Sequence, residues 1–388
     1  MFNFTALPPL SLYVHIPWCV RKCPYCDFNS HTASSGLPEK QYLASLFADL
    51  EYDLPEVWGR PVQSIFIGGG TPSLFSAEAI DELIAGLRLR LPIEPMAEIT
   101  LEANPGTLEA GKFSEFKHAG VNRLSIGCQS FNDDYLQKLG RIHSAKEAIR
   151  AVESAHAAGF DNFNLDLMFG LPGQNLNTAK ADIEQAIALS PSHISHYQLT
   201  IEPNTLFHYS PPSLPEDETS WAIQEHCENL LSDAGYGHYE ISAHAKPGKQ
   251  SLHNLNYWQF GDYLGIGAGA HAKISSAAEQ NITRSWKHKH PDQYLAAEKT
   301  HDHISGTSIL QRDDASFEFM MNALRLKQGF AKTLFTERTG LPIHQISKTL
   351  EKAEQLKLIT QDLSTIQATE HGLHFLNDLV ALFLKEET

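Results

Sequence analysis

The chain has 388 residues, a formal net charge of −16 and an ordinary 42% share of hydrophobic residues. That length suits one large core with a smaller unit beside it, or two to three domains. The acidic balance argues against nucleic acid as a bulk partner, because phosphate backbones are repelled. No apolar run approaches the ~20 residues of a membrane helix. The first residues lack a basic start and a long apolar stretch, so no signal peptide is expected and the expected location is the cytoplasm.

In chain order, short apolar runs alternate with helical spacing. The runs Leu12–Ile16, Ser64–Ile67, Glu98–Leu101, Arg123–Ile126, Asn162–Met168 and His193–Leu199 read as strands. Between them, Glu39–Leu54, Ser76–Leu89, Leu108–Ala119, Ser144–Ala158 and Asn177–Leu189 read as helices. Repeated strand–helix units predict an α/β fold with a parallel sheet. Six units suit a partial barrel better than a flat doubly wound sheet, although periodicity does not decide between them. Ile201–Glu216 is rich in Pro and Ser and reads as a linker, followed by a helix over Asp217–Ala234 and an aromatic, Gly-rich stretch to Ala272. From about Ile304 the chain turns helical and charged, with a candidate wing at Leu356–Thr369. The expected division is 1–215, 216–303 and 304–388.

Polar residues and glycines collect where the runs end. They are Gly68-Gly69-Gly70-Thr71-Pro72, Glu102-Ala103-Asn104-Pro105, Gly127-Cys128-Gln129-Ser130, and Asp166 with Gly170-Leu171-Pro172-Gly173. In both candidate architectures ligands bind at those ends. Each residue also has a plain reading: Glu102 as a cap, Arg141 as a surface cation, Asp166 as half of an ion pair, the glycines as a tight turn. No Walker lysine follows the Gly loop.

Three of the five cysteines fall in Cys19-Val-Arg-Lys-Cys23-Pro-Tyr-Cys26, a C-x3-C-x2-C spacing. Clustered thiols in a reducing compartment read as metal ligands. Iron–sulfur clusters usually take four thiolates, so three would leave one iron open to another ligand. A tetrahedral zinc would need a fourth ligand, for which Asp27, His15 or His31 are candidates, but the spacing is not a common zinc one. Cys128 and Cys227 read as ordinary buried thiols.

Tyr13-Val-His15-Ile-Pro17-Trp-Cys19-x3-Cys23-x-Tyr25-Cys26 resembles the signature of the radical S-adenosylmethionine (SAM) superfamily, and Gly68–Pro72 is similar to its SAM amino-group motif. Within the superfamily the chain resembles, over nearly its whole length, the branch of oxygen-independent coproporphyrinogen III dehydrogenase and its related heme chaperones. The resemblance implies a partial (β/α)6 TIM-like barrel with a smaller, mostly helical C-terminal domain of winged-helix type. It implies a [4Fe–4S] cluster on Cys19, Cys23 and Cys26, with SAM on the open iron. It implies SAM contacts from Tyr13, Tyr25, Gly69, Gly70, Thr71, Glu102, Gln129, Arg141 and Asp166.

Two departures separate the chain from the dehydrogenase: Phe28 stands where that enzyme has a fourth motif cysteine, and the segment before the first strand is short. His253-Asn254-Leu255-Asn256-Tyr257-Trp258 resembles the H-N-x-x-Y-W motif of the chaperones. His253, Asn254, Tyr257 and Trp258 are therefore expected heme contacts, with His253 the candidate axial ligand, His271 a weaker lining candidate, and Gly265, Gly267 and Gly269 allowing a flat ligand to approach. The plain reading is that His253 and Asn254 satisfy a buried turn and the two aromatics pack a domain junction. The expected function is a heme chaperone that binds heme, the cluster and SAM and passes heme to a client, such as a membrane respiratory enzyme, with a possible cluster-dependent homodimer. The alternative is oxidative decarboxylation of coproporphyrinogen III. A winged helix on DNA is disfavoured by the charge.

Overall fold

A computed structural model describes residues 2–33, 36–106, 111–300 and 302–384. Its framework is a twelve-stranded sheet: β1 (Leu10–Ile16), β2 (Val62–Gly69), β3 (Ile93–Ala103), β4 (Arg123–Gln129), β5 (Phe163–Phe169), β6 (His193–Gln198), β7 (Gly237–Glu240), β8 (Ala243–Ala245), β9 (Asp262–Ile266), β10 (His271–Ser276), β11 (Asn281–Lys287) and β12 (Ile304–Ile309). The order is β12-β11-β10-β9-β1-β2-β3-β4-β5-β6-β8-β7, and among the described residues the two edge strands are not paired to each other. β1 to β6 run parallel. They read as apolar runs because both faces of a parallel sheet are covered; β1, for instance, is buried at six of its seven positions.

The helices follow their amphipathic patterns. Glu39–Asp53 buries Tyr42, Leu43, Leu46 and Leu50 along one stripe. Ala145–Ala157 starts with a capping box from Ser144 and Glu147. Of the expected helix over Leu108–Ala119, Phe113–Ala119 is helical, and 107–110 lie outside the described residues.

Three sequence expectations change. Ile201–Glu216 is not a free linker. It holds a short helix, Leu206–Tyr209, and Ile201, Phe207 and Leu214 pack with Tyr25, Tyr135, Met168 and Leu199. Apolar residues among the prolines find a groove beside the cysteine loop. Next, β9 is a seventh parallel strand, pairing with β1 on the side away from β2. Finally, Gly267 serves this pairing rather than a ligand. Its φ is +105°, and a Cβ there would lie 2.3 Å from the His15 carbonyl oxygen. Gly265 likewise faces the His271 backbone.

β12, which begins at Ile304, is an edge of the large sheet and pairs with β11. Beyond it, helices Arg312–Ala323, Lys332–Thr339 and Ser347–Gln355 pack with a small antiparallel sheet of Phe330–Ala331, Thr365–Ala368 and Ile359–Gln361. Phe2 and Phe4 from the N-terminus join this second core. Among the described residues no helix is long and apolar enough to cross a membrane.

Candidate cluster and cofactor site

The cysteine loop leaves β1 at Pro17. Its base is closed by parallel pairing of Trp18–Cys19 with His31–Thr32. The Cys26 N–H donates to the Cys23 carbonyl at 3.1 Å, closing a turn between the two thiols. Lys22 Nζ donates to the Phe28 carbonyl at 3.0 Å and ties the loop's two limbs. The Gly loop after β2 docks on the same base: Gly70 N–H donates to Ile16 O at 2.8 Å and Thr71 N–H to Trp18 O at 2.7 Å. A Cβ on Gly70 would sit 2.5 Å from Trp18 O, so this approach requires glycine.

Cys19, Cys23, Tyr25, Cys26, Gly69, Gly70, Thr71, Glu102, Gln129, Arg141 and Asp166 all line one cavity of about 480 Å3. Of the expected SAM residues only Tyr13 stands outside it, on the wall of an adjacent cavity. There its hydroxyl lies 3.0 Å from His15 Nδ1.

Each side chain is held for a local reason. Gln129 sits at a bulge in β4, where the register with β5 jumps between Gly127 and Gln129. Its φ of +62° is unusual for a non-glycine residue. Bulges re-aim side chains, and strain of this kind concentrates at functional sites. Arg141 donates to Asn104 Oδ1 at 2.6 Å and Gly127 O at 2.9 Å, and reaches Cys23 Sγ at 3.7 Å. Glu102 accepts the Gly69 N–H at 3.0 Å. Asp166 accepts from Ser125 at 3.0 Å and from Asn164 at 2.9 Å.

The electrostatics suit a cationic guest. Burial, with a smaller push from Asp166, raises Glu102 to about 8, against the opposing Gly69 hydrogen bond. Burial also raises Asp166, which the Ser125 and Asn164 hydrogen bonds oppose. Burial works against the charge of Arg141, yet Tyr25 and Cys23 beside it hold its pKa above the ordinary value. Burial raises the thiols of Cys19 and Cys26; hydrogen bonds from Thr71 and Ser30 oppose it at Cys19, and those from the Phe28 backbone and Ser30 at Cys26. Such thiols ionise readily only when a metal replaces the proton. SAM is a sulfonium with an ammonium group, which two buried carboxyls would balance.

Among the described residues, four buried atoms of residues lining this cavity have no hydrogen-bond partner: Gln129 Oε1, Arg141 Nε, Trp258 Nε1 and Arg325 Nε. Buried polar atoms are rarely left so, which marks a place where a polar ligand docks. The donor set fits a cluster: three thiols on one loop border a cavity that has room for another ligand. Among the described residues no three His, Cys, Asp or Glu side chains converge as a single ion would need. A mononuclear zinc draws its donors to about 2.0–2.3 Å of one point, whereas a cubane spreads its thiolates over separate corners.

The H-N-x-x-Y-W motif divides. It forms the helix Leu252–Trp258, capped by Ser251. Asn254 and Trp258 line the first cavity and Tyr257 the adjacent one. His253 faces neither. It is 1% exposed, with Nδ1 3.0 Å from Ser64 Oγ and Nε2 3.3 Å from the Tyr257 hydroxyl. Both ring nitrogens are engaged, so in this structure His253 supports Tyr257 and offers no nitrogen to an iron.

Two further lining residues, Asn104 and Arg325, had no individual role assigned from the sequence. Asn104 bridges Thr71 Oγ1 at 3.0 Å and Arg141; its place at a strand end was the available signal. Arg325 had none. It comes from the C-terminal unit, reaches Glu240 Oε2 at 3.1 Å, and lies 4.2 Å from the centre of the Trp258 ring.

Residues 13–186 match the model of the Radical SAM superfamily, and 310–375 that of the HemN C-terminal domain. The chain is 52% identical to the heme chaperone HemW of Haemophilus influenzae over 98% of this chain and 99% of that one. It is 50% identical to HemW of Escherichia coli with the same coverage, and 36% identical to HemW of Bacillus subtilis over 97% and 99%. The solved structure of E. coli coproporphyrinogen III oxidase (HemN), described as a radical SAM enzyme, superposes with a TM-score of 0.81 at 23% identity, over 97% of this chain and 90% of that one, a likeness of fold. With three thiols and a Gly loop around one cavity, and relatives matched end to end, the chain belongs to the radical SAM superfamily and, within it, to the HemW family.

Proposed function

We propose that the protein is a heme chaperone: it binds heme, a [4Fe–4S] cluster and SAM, and hands heme to a client protein. The single observation that carries this reading is the full-length similarity to relatives named heme chaperone HemW. Cys19, Cys23 and Cys26 would hold the cluster. Gly69, Gly70, Thr71, Glu102, Gln129, Arg141 and Asp166, with Tyr25 beside the loop, would hold SAM, and Tyr13 would act from the neighbouring wall. When bound, the cluster supplies an electron and an open iron for a small chelating ligand. The chain's residues orient that ligand and keep water from it. Of the four motif residues expected to contact heme, Tyr257 would do so from the adjacent cavity with His253 behind it, while Asn254 and Trp258 face the cluster cavity. The location is cytoplasmic, the client a membrane respiratory enzyme, and a cluster-dependent homodimer part of the cycle. The core over 1–215, its extension over 216–303 and a C-terminal domain over 304–388 complete the reading, the last domain lending its first strand to the edge of the large sheet.

Decarboxylation of coproporphyrinogen III is the competing reading, and Phe28 speaks against it. It lines the cavity mouth, 62% exposed, at the position of the dehydrogenase's extra cysteine.

The test uses anaerobically purified protein. Iron and sulfide should each approach about four per monomer, Cys23→Ser should lose the cluster absorbance, and added heme should give a saturable Soret band and pass to an apo heme protein. No heme binding by the wild type would overturn the proposal. So would protoporphyrinogen IX formed from coproporphyrinogen III with SAM and a reductant.

A further inference from the structure

Beside the cluster cavity lies a second one of about 600 Å3. The two share Lys22, Asp27, Phe28, Ser30, Gly69 and Glu102 in their walls. Its wall is built from Tyr13, Tyr257 and Tyr263, with His271 on one side and Lys22 and Lys289 at the rim. The Tyr257 and Tyr263 rings meet at 4.5 Å and 69°, and Arg284 bonds the Tyr263 hydroxyl. Aromatic rings fixed in this way offer an apolar face of the kind a porphyrin covers. The two lysines supply charge for its carboxylates.

Four histidines stand in or behind this wall, and three are committed elsewhere. His15 bonds Tyr13 Oη through Nδ1 and the Asn29 carbonyl, 2.8 Å away, through Nε2. His31 lies 3.2 Å from Asn29 Oδ1 and interacts with the Lys289 backbone. His253 is held between Ser64 and Tyr257. His271 lines the cavity and is exposed, and no hydrogen bond to its ring is seen among the described residues. Its ring lies near-parallel to Trp286, 6.3 Å away. Partial burial, with Lys289 and Arg284 nearby, lowers its pKa, so the imidazole is neutral at physiological pH, the form that binds iron.

Resting on the chaperone reading, the geometry points to this second cavity as the heme site, with His271 as the axial ligand and His253 as a positioning residue that fixes the Tyr257 hydroxyl. Heme would then lie beside the cluster and SAM, separated by the shared wall. This also gives the His of the H-N-x-x-Y-W motif a role while it remains inside the core.

The experiment titrates hemin into wild type, His271→Ala and His271→Met, each loaded with cluster. His271→Ala should bind heme roughly tenfold or more weakly, as loss of a metal-site partner typically costs, with a shifted Soret band. Added imidazole should restore the wild-type spectrum. His271→Met should bind with a distinct Soret position, as a changed axial ligand requires. Cluster absorbance should be the same in all three. If His271→Ala keeps the wild-type affinity and spectrum, the axial assignment falls while the chaperone reading stands. If the wild type itself shows no saturable heme binding, both fall.

Discussion

At the scale of the residue, the site gathers charge where folding by itself would avoid it. Glu102 is the clearest case. Its carboxyl titrates near 4.5 in the unfolded chain and near 8 in the fold, because it is buried beside Asp166. A raised carboxyl pKa contributes stability that is fully present below pH 4.5 and is lost as pH climbs through 8. The ligand-free wild type should therefore lose stability across that window, on the order of a few kcal/mol. Glu102→Gln should flatten the slope and make the ligand-free protein more stable at pH 8. Denaturant midpoints measured from pH 5 to pH 8.5 check this, and an unchanged slope would remove Glu102 as its source. The same variant should bind SAM less well, so the residue costs stability for a ligand's sake.

At the scale of the element, buried ion pairs clamp the sheet to its helices. Lys287 on β11 is fully buried and reaches Asp49 and Asp53, both on the helix Glu39–Asp53, at 2.6 Å each. Tyr294 Oη donates to Asp49 at 2.6 Å and accepts the Gly267 N–H at 3.1 Å. The network thus pins the helix to the turn after β9, whose parallel pairing with β1 holds one side of the cysteine loop's stem. Lys287→Met would leave two carboxylates without a cation inside the core. We expect a loss of about 3–5 kcal/mol, the usual result of removing one partner of a buried pair. Chemical denaturation measures it, and a change below about 1 kcal/mol would show that the pair is not desolvated as described.

At the scale of the whole molecule, the C-terminal unit takes part in the cavity. The hairpin strand β7 meets it through a Glu240–Leu326 bridge, and Arg325 adds its contacts to Glu240 and Trp258. From the other end of the sequence, Phe2 and Phe4 enter the same core; the Asn3 N–H donates to Gly340 O at 2.8 Å. Arg325→Ala should lose roughly 1–3 kcal/mol of this docking, from the cation–π contact and a carboxylate left unpaired. Hydrogen exchange should quicken in the helix Arg312–Ala323 and in β7, and not in β1 to β4. Uniform protection in the variant would mean that the apolar core alone holds the two parts together.

The sequence by itself determined the six strand–helix units and the cysteine loop. Local periodicity reports burial, and ligand spacing on a short loop is set by the chain itself. It also placed Gly69, Glu102, Gln129 and Asp166 at or near strand ends, where a parallel sheet gathers ligands, and the family resemblance added Arg141. Only the tertiary structure decided that Tyr13 faces the second cavity. Only it showed that Ile201–Glu216 packs as a strap, that β9 joins the parallel array, that His253 turns into the core, and that Arg325 closes a wall nearly two hundred residues away from Arg141 in the chain. These depend on pairings between distant segments, which leave no period in the sequence. A histidine in a motif reads the same whether both its nitrogens are taken or free; the neighbours that take them come from strands elsewhere in the fold.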